Sequence, residues 1–151
     1  MPDRLTNVHP YERLTLPNGS QADIDLEMIP LMRALWAMGL KTVASCQNLG
    51  ESITAEPEGA GQGRRHAAYL TGQAWLRMPT QDAQTMLGHL AQSPVFADRF
   101  GRWTHPDAWE NYVYLLPGRD DDGVVQLSSC AQIHFPAPQI LEVVDALPPV
   151  P

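Results

Sequence analysis

The stretch from Asp25 to Gly50, DLEMIPLMRALWAMGLKTVASCQNLG, constrains the fold more than any other part of the chain. Leu31, Leu35 and Met38 recur at helical spacing, with Met28 one turn earlier and Met32 and Trp36 widening the same apolar stripe. Pro30 is tolerated only in a first turn, where its missing N–H has no partner to lose. The spacing therefore predicts a helix that begins near Glu27 and stops at Gly39. Gly39 suits the position just past the helix, because it takes positive φ without a Cβ clash, and Leu40 is then placed to fold back on Leu35. Lys41–Cys46 is too short for a second helix and is β-branched at Thr42 and Val43, which predicts a strand. Period two puts Thr42, Ala44 and Cys46 on one face and Val43 and Ser45 on the other. Gln47, Asn48 and Gly50 end the strand, so a cysteine and three polar residues stand at the end of a rigid element.

The rest of the chain arranges itself around this unit. Glu12–Leu16 and Ser20–Ile24 flank Pro17-Asn18-Gly19, and Asn-Gly between two such runs predicts a hairpin with both central residues at positive φ. Residues 47–65 are rich in glycine and poor in apolar side chains, which predicts a long flexible loop. Arg64, Arg65 and His66 close it as a tight basic cluster. Ala67–Met78 reads as a strand bent at Thr71-Gly72. Thr80 is a candidate N-cap for a helix with Ala83, Met86, Leu87 and Leu90 inward. Gly101–Glu110 is an aromatic loop, in which Trp103, His105 and Trp109 either stack on a ligand ring or pin the loop to the core. Strands follow at Asn111–Leu116, Val124–Ser128 and Cys130–Phe135. Asp120, Asp121 and Asp122 form a solvated turn, and Pro138 opens a last helix that Pro148-Pro149 stops. The expected architecture is one α+β domain over residues 1–151: a mixed β-sheet, three main helices mostly on one face, and an N-terminal β-hairpin. Residues 1–10 are expected to be loosely ordered and 148–151 to form a tail.

Charge excludes some functions. With 151 residues and a net charge of −7, the chain is expected to have no general affinity for the DNA or RNA backbone. No apolar run approaches a membrane span, and the N-terminal residues show no signal-peptide core, so a cytoplasmic protein without membrane contact is expected. Two cysteines in that compartment are expected to be free thiols. The absence of CxxC argues against a metal site, and no cofactor is expected. One lysine against nine arginines, with much Ala, Gly and Pro, is a bias of GC-rich bacterial or phage genomes.

The chemistry-bearing residues fall into three short groups: Ser45, Cys46, Gln47 and Asn48; Arg64, Arg65 and His66; and Gln132 and His134, on one strand with Cys130. If the strands bearing Cys46 and Cys130 are neighbours, these groups converge on one pocket. The run Leu31-x3-Leu35-Trp36-x2-Gly39-Leu40-x-Thr42-x2-Ser45-Cys46-Gln47, with Gly50-Glu51 after it and Phe135-Pro136 before the last helix, resembles small uncharacterised proteins of actinobacteria and their phages. That resemblance implies no particular activity. The helix, the strand and Ser45-Cys46 are also remotely similar to the wybutosine-synthesis tRNA methyltransferase family. That family continues Ser-Cys-Ser-Gly-Arg where this chain has Ser45-Cys46-Gln47-Asn48-Leu49. The expectation is a small accessory protein that binds a small polar or nucleotide-like ligand or a protein partner, with homo-oligomers allowed. One alternative is a cysteine-dependent enzyme using Cys46 with His134. Another is an interaction module that offers its acidic surface to a basic protein.

Overall fold

A computed structural model describes residues 8–55 and 67–149. Arg64, Arg65 and His66, and most of the predicted loop, lie outside the described residues. The first two strands, β1 (Tyr11–Thr15) and β2 (Gln21–Asp25), form an antiparallel hairpin. Its turn differs from the expected one, since only Gly19 has positive φ. The Gly19 N–H donates to Leu16 O at 2.9 Å and the Leu16 N–H to Ser20 O at 2.7 Å. Pro17 fixes φ at the first turn position and favours a type I turn, leaving Gly19 as the left-handed residue that follows it.

A 3₁₀ turn, Leu26–Met28, leads into α1 (Ile29–Ala37), with Pro30 in the first turn where it removes no bond. The stop is a Schellman motif: Gly39 at φ +78° donates to Trp36 O, and Leu40 donates to Leu35 O at 3.0 Å. The next strand, β3, is shorter than expected, Ala44–Cys46. Residues after it differ from the expected loop. Leu49–Ala55 is a helix, α2, capped by Asn48, whose Oδ1 accepts the N–H groups of Glu51 and Gly72. Gly50 explains the packing: a Cβ there would lie 2.3 Å from Thr71 N and 2.4 Å from Ala67 O. Residues 67–70 are helical where a strand was expected, and β4 (Gln73–Pro79) starts only after Gly72.

β4 is followed by α3 (Thr80–Leu90) and α4 (Pro94–Phe100). Pro79, not Thr80, stands at the N-cap of α3, and no side chain caps it. β5 (Glu110–Arg119) and β6 (Val125–Pro136) form a long hairpin, and α5 (Ile140–Ala146) closes the chain. The two strands expected after the acidic turn are one continuous strand, β6. In the turn, Asp120 Oδ1 accepts the N–H groups of Asp122 and Val124.

The larger sheet has the order β3-β4-β6-β5 and is antiparallel throughout, where a mixed sheet was expected. The β5–β6 hairpin folds back on itself, and β6 lies antiparallel beside β4, which is separated from it in sequence by α3, α4 and β5. Register makes the faces unambiguous. Ala74, Leu76 and Met78 of β4 and Ala131, Ile133 and Phe135 of β6 are buried against Leu31, Leu35, Met86, Leu90 and Val143 of the helices. Trp109 joins that core, stacked on Phe135 with centroids 4.7 Å apart. The other residues of each strand face away from the helices, and there the polar residues collect. No helix among the described residues is long and apolar enough to cross a membrane.

Candidate functional site

Pairing fixes which side chains share the outer face. Cys46 pairs with Trp75, Trp75 with His134, and His134 with Glu110, forming one row across the sheet. The next row is Ala44, Arg77, Gln132 and Tyr112, and beyond it stand Pro79, Cys130 and Tyr114. Paired residues in an antiparallel ladder point to the same side, so these rows form one surface.

A chain of hydrogen bonds crosses its centre. Arg77 Nη2 donates to Gln132 Oε1 at 2.9 Å, which orients the amide, and Gln132 Nε2 then donates to His134 Nε2 at 2.8 Å. His134 Nε2 is thereby the acceptor, and its proton is carried by Nδ1. Burial pushes the His134 pKa below its ordinary value, against the opposing pull of Glu110, so the ring is neutral near pH 7. The Arg77 guanidinium lies 5.1 Å from the centroid of the Trp75 ring and 5.9 Å from that of Tyr114. Glu110 accepts hydrogen bonds from Tyr112 and His105. Burial raises the Glu110 pKa, but those two bonds outweigh it and hold the carboxyl below its usual range. The same bond to Glu110 is the chief reason the Tyr112 phenol is pushed up to about 12.

Three buried N–H groups of this face, Trp75 Nε1, Arg77 Nε and His134 Nδ1, have no hydrogen-bond partner among the described residues. All three are donors. Unpartnered buried donors are costly, and native proteins leave few of them.

A second group lies at the β3 edge of the sheet. Cys46 Sγ is 3.1 Å from Ser52 Oγ and 4.0 Å from His9 Nδ1. His9 Nδ1 is 3.2 Å from Asp25 Oδ2, and its Nε2 is 2.9 Å from Glu51 Oε2. Asp25 Oδ2 also accepts the Gln47 N–H at 2.9 Å. Burial, above all, pushes the Cys46 thiol up to about 11; the Ser52 hydrogen bond works against it and the Asp25 charge with it. Such a thiol is protonated near neutrality and is a weak nucleophile.

The residues singled out from sequence divide accordingly. β4 lies between β3 and β6, so the strands bearing Cys46 and Cys130 are not neighbours. Cys46 and His134 share a row but are two strands apart, about 10 Å, with Trp75 between them. Gln132 and His134 belong to the outer face. Ser45 pairs with Leu76 and points to the helix side. Gln47 Oε1 accepts the Glu27 N–H, and Asn48 caps α2, so both act in holding the chain. Sequence reasoning missed Trp75, Arg77, Tyr112, Tyr114 and Glu110 as one surface. Their signal is the strict alternation of polar or aromatic with apolar residues in β4 and early β5. It also missed His9, Asp25, Glu51 and Ser52 around Cys46, for which sequence spacing carries no signal.

Two clefts lie beside these groups. One, of about 410 Å³, is lined by Leu87, Ala91, Phe100, Trp109 and Ile133 among others. The other, of about 450 Å³, lies between the β1–β2 turn and Trp36 to Val43. Both are mainly apolar, although Glu110, at the end of the outer-face row, also lines the first.

By fold and surface this is an α+β domain with an antiparallel sheet, helices on one side and a polar aromatic face on the other. No family model, no curated protein and no solved structure gives a significant match to the chain.

Proposed function

We propose that this protein binds a small, planar, acceptor-rich ligand of nucleotide-like character on the outer face of the sheet. The observation that carries the reading is the set of three unpartnered donors, Trp75 Nε1–H, Arg77 Nε–H and His134 Nδ1–H, on one face with aromatic rings. These donors lie just beneath the surface, and a phosphate, carboxylate or ring carbonyl oxygen would take them up once a neighbouring side chain swings aside. Tyr112 and Tyr114, both 43% exposed, offer ring faces for stacking, and Arg77 offers charge. A single guanidinium within a chain of charge −7 fits a small ligand better than a nucleic-acid backbone. Titration with the four nucleoside monophosphates by calorimetry tests this. Tyr112→Ala is expected to weaken binding by about 1–3 kcal/mol, the value of one stacking platform. Arg77→Gln is expected to weaken phosphate-bearing ligands more than the free nucleosides. No heat with any nucleotide, together with no small molecule in native mass spectra of the purified protein, overturns the reading.

A second reading has its own observation. The helix-side face of the β5–β6 hairpin runs on beyond the helices as an uncovered apolar strip, with Leu115 69% and Leu127 67% exposed beside Val113 and Val125. Among the described residues β5 is also an edge of the sheet, which invites a further strand. A second copy of the chain meeting this strip is the corresponding assembly. Sedimentation over a concentration series should show a dimer that Leu115→Lys with Leu127→Lys converts to monomer. A wild-type monomer throughout removes this reading and leaves the first intact.

A further inference from the structure

The buried group at the sheet edge has the composition and geometry of a metal site. His9, Asp25 and Cys46 are 6%, 5% and 7% exposed, and come from the segment before β1, the end of β2 and the end of β3. His9 Nδ1, one Asp25 carboxylate oxygen and Cys46 Sγ all lie within 4.8 Å of one another. The imidazole nitrogen is 3.2 Å from Asp25 Oδ2 and 4.0 Å from the sulfur. Around a tetrahedral zinc ion, nitrogen, oxygen and sulfur ligands stand about 3.4–3.6 Å apart, given their bond lengths. Movements of under about 1 Å, within side-chain freedom, would bring the three donors to those separations.

A second observation concerns the proton on His9. Glu51 Oε2 is 2.9 Å from Nε2; in the tautomer that donates this N–H to Glu51, Nδ1 is a lone pair facing inward. A carboxylate behind a histidine, orienting its free nitrogen, is the usual support of a ligating imidazole. Here the lone pair faces Asp25 Oδ2, an acceptor that already receives the Gln47 N–H. Two acceptors at that distance repel each other unless a positive charge stands between them, a proton or a metal ion. A thiol aimed at the same point is the third donor a metal takes and a proton does not need.

We propose that His9 Nδ1, Asp25 Oδ2 and Cys46 Sγ bind a divalent first-row transition-metal ion, zinc above all, with Glu51 as the carboxylate that orients the imidazole. Thiolate, imidazole and carboxylate together select zinc over magnesium or calcium, which prefer oxygen donors alone. On binding, the Cys46 S–H bond gives way to a sulfur–metal bond and the proton passes to solvent. Thiolate and carboxylate then neutralise the ion. Ser52 Oγ, 3.1 Å from the sulfur, is placed to donate to the thiolate and stabilise it. Three protein ligands leave the fourth tetrahedral position to water or another donor. The ion would tie the N-terminal hairpin to the edge of the larger sheet. A search for closely spaced cysteines does not see this set, since His9 precedes Asp25 by 16 residues and Cys46 by 37.

The test uses the full chain, freed of metal with a chelator and titrated with cobalt(II), which zinc(II) then displaces. The expected result is one ion per chain, a near-ultraviolet thiolate-to-cobalt band, and a melting temperature that rises with zinc. Cys46→Ser should abolish the band, and Cys130→Ser should leave it. Glu51→Gln should weaken zinc by roughly 10–100-fold, the usual cost of losing such a support. His9→Gln and Asp25→Asn should weaken it further. Circular dichroism identifies any variant that does not fold, and the wild-type titration then decides by itself. A folded wild type that binds neither ion at one per chain overturns the proposal. So does a cobalt band that survives Cys46→Ser, or zinc binding unchanged in folded His9→Gln.

Discussion

Cys46 shows how position decides what a side chain can do. Its sulfur is buried at the end of β3, close to the Asp25 carboxylate, and both raise the energy of the thiolate. The thiol pKa rises from 9.0 to about 11, so at pH 8 the metal-free protein holds roughly 100-fold less thiolate there than an ordinary cysteine does. Iodoacetamide should therefore label Cys46 in the native, metal-free chain at least that much more slowly than a model thiol. After denaturation under non-reducing conditions both cysteines should label, since both are free. Mass spectrometry of the alkylated peptides reads both rates. Rapid native labelling at Cys46 would mean that the sulfur is exposed or activated, which is what a thiol nucleophile requires. His134 illustrates the opposite route to a defined state. Its tautomer follows from a bond made two residues away, because Arg77 orients Gln132 and Gln132 orients the ring.

At the level of elements, two glycines hold the helices in place for different reasons. Gly39 has open space around a hypothetical Cβ, and only its φ of +78° disfavours a side chain. Gly39→Ala should cost about 1 kcal/mol, the price of an L-residue in the left-handed region, and Gly39→Asn less. Gly50 is the reverse case, with φ unremarkable and no room at all. Gly50→Ala must push α2 away from residues 67–72 and should cost about 1–3 kcal/mol or more. Urea denaturation of the two variants checks both values. Equal small effects would mean that α2 is not seated on the turn before β4. The helix α2 also carries Ser52 and Glu51 to Cys46 and His9, so Gly50→Ala should disturb the edge cluster as well.

For the whole molecule, the outer face sets the response to acid. His134 is held below its ordinary value of 6.5, so the unfolded chain binds that proton more readily than the folded one. Stability is unaffected by this group well above 6.5 and falls as the pH drops below it. Glu110 is held below 4.5, so its contribution is present above that value and is lost as pH falls through the lower folded pKa. Melting temperature against pH should thus begin to fall below about 6.5 and fall more steeply below about 4.5. His134→Gln should flatten the first part of the curve and leave the second. A single drop confined to the carboxylate range would show that His134 is not buried in the neutral form.

The local syntax of the chain was written in its residues. Gly39 after an apolar helical stripe, Pro30 in a first turn and Pro17-Asn18-Gly19 between two short runs each dictate structure through their own φ preferences, which need no distant partner. The inward set of α3 follows from periodicity for the same reason, and so does the alternation in β4. What sequence could not supply was pairing. That β4 lies between β3 and β6 separates Cys46 from His134 and replaces the expected pocket with a continuous face. That His9, Asp25 and Glu51 meet Cys46 depends on where the hairpin and α2 dock. Residues 49–55 looked like loop because their composition offers little to bury. They are a helix because Gly50 lets the backbone approach the turn at 67–72 and Asn48 satisfies the N–H groups of Glu51 and Gly72. Backbone preference acts within a few residues and is legible one residue at a time. Burial and charge act between segments that only the folded chain brings together, and both candidate sites are made of such meetings.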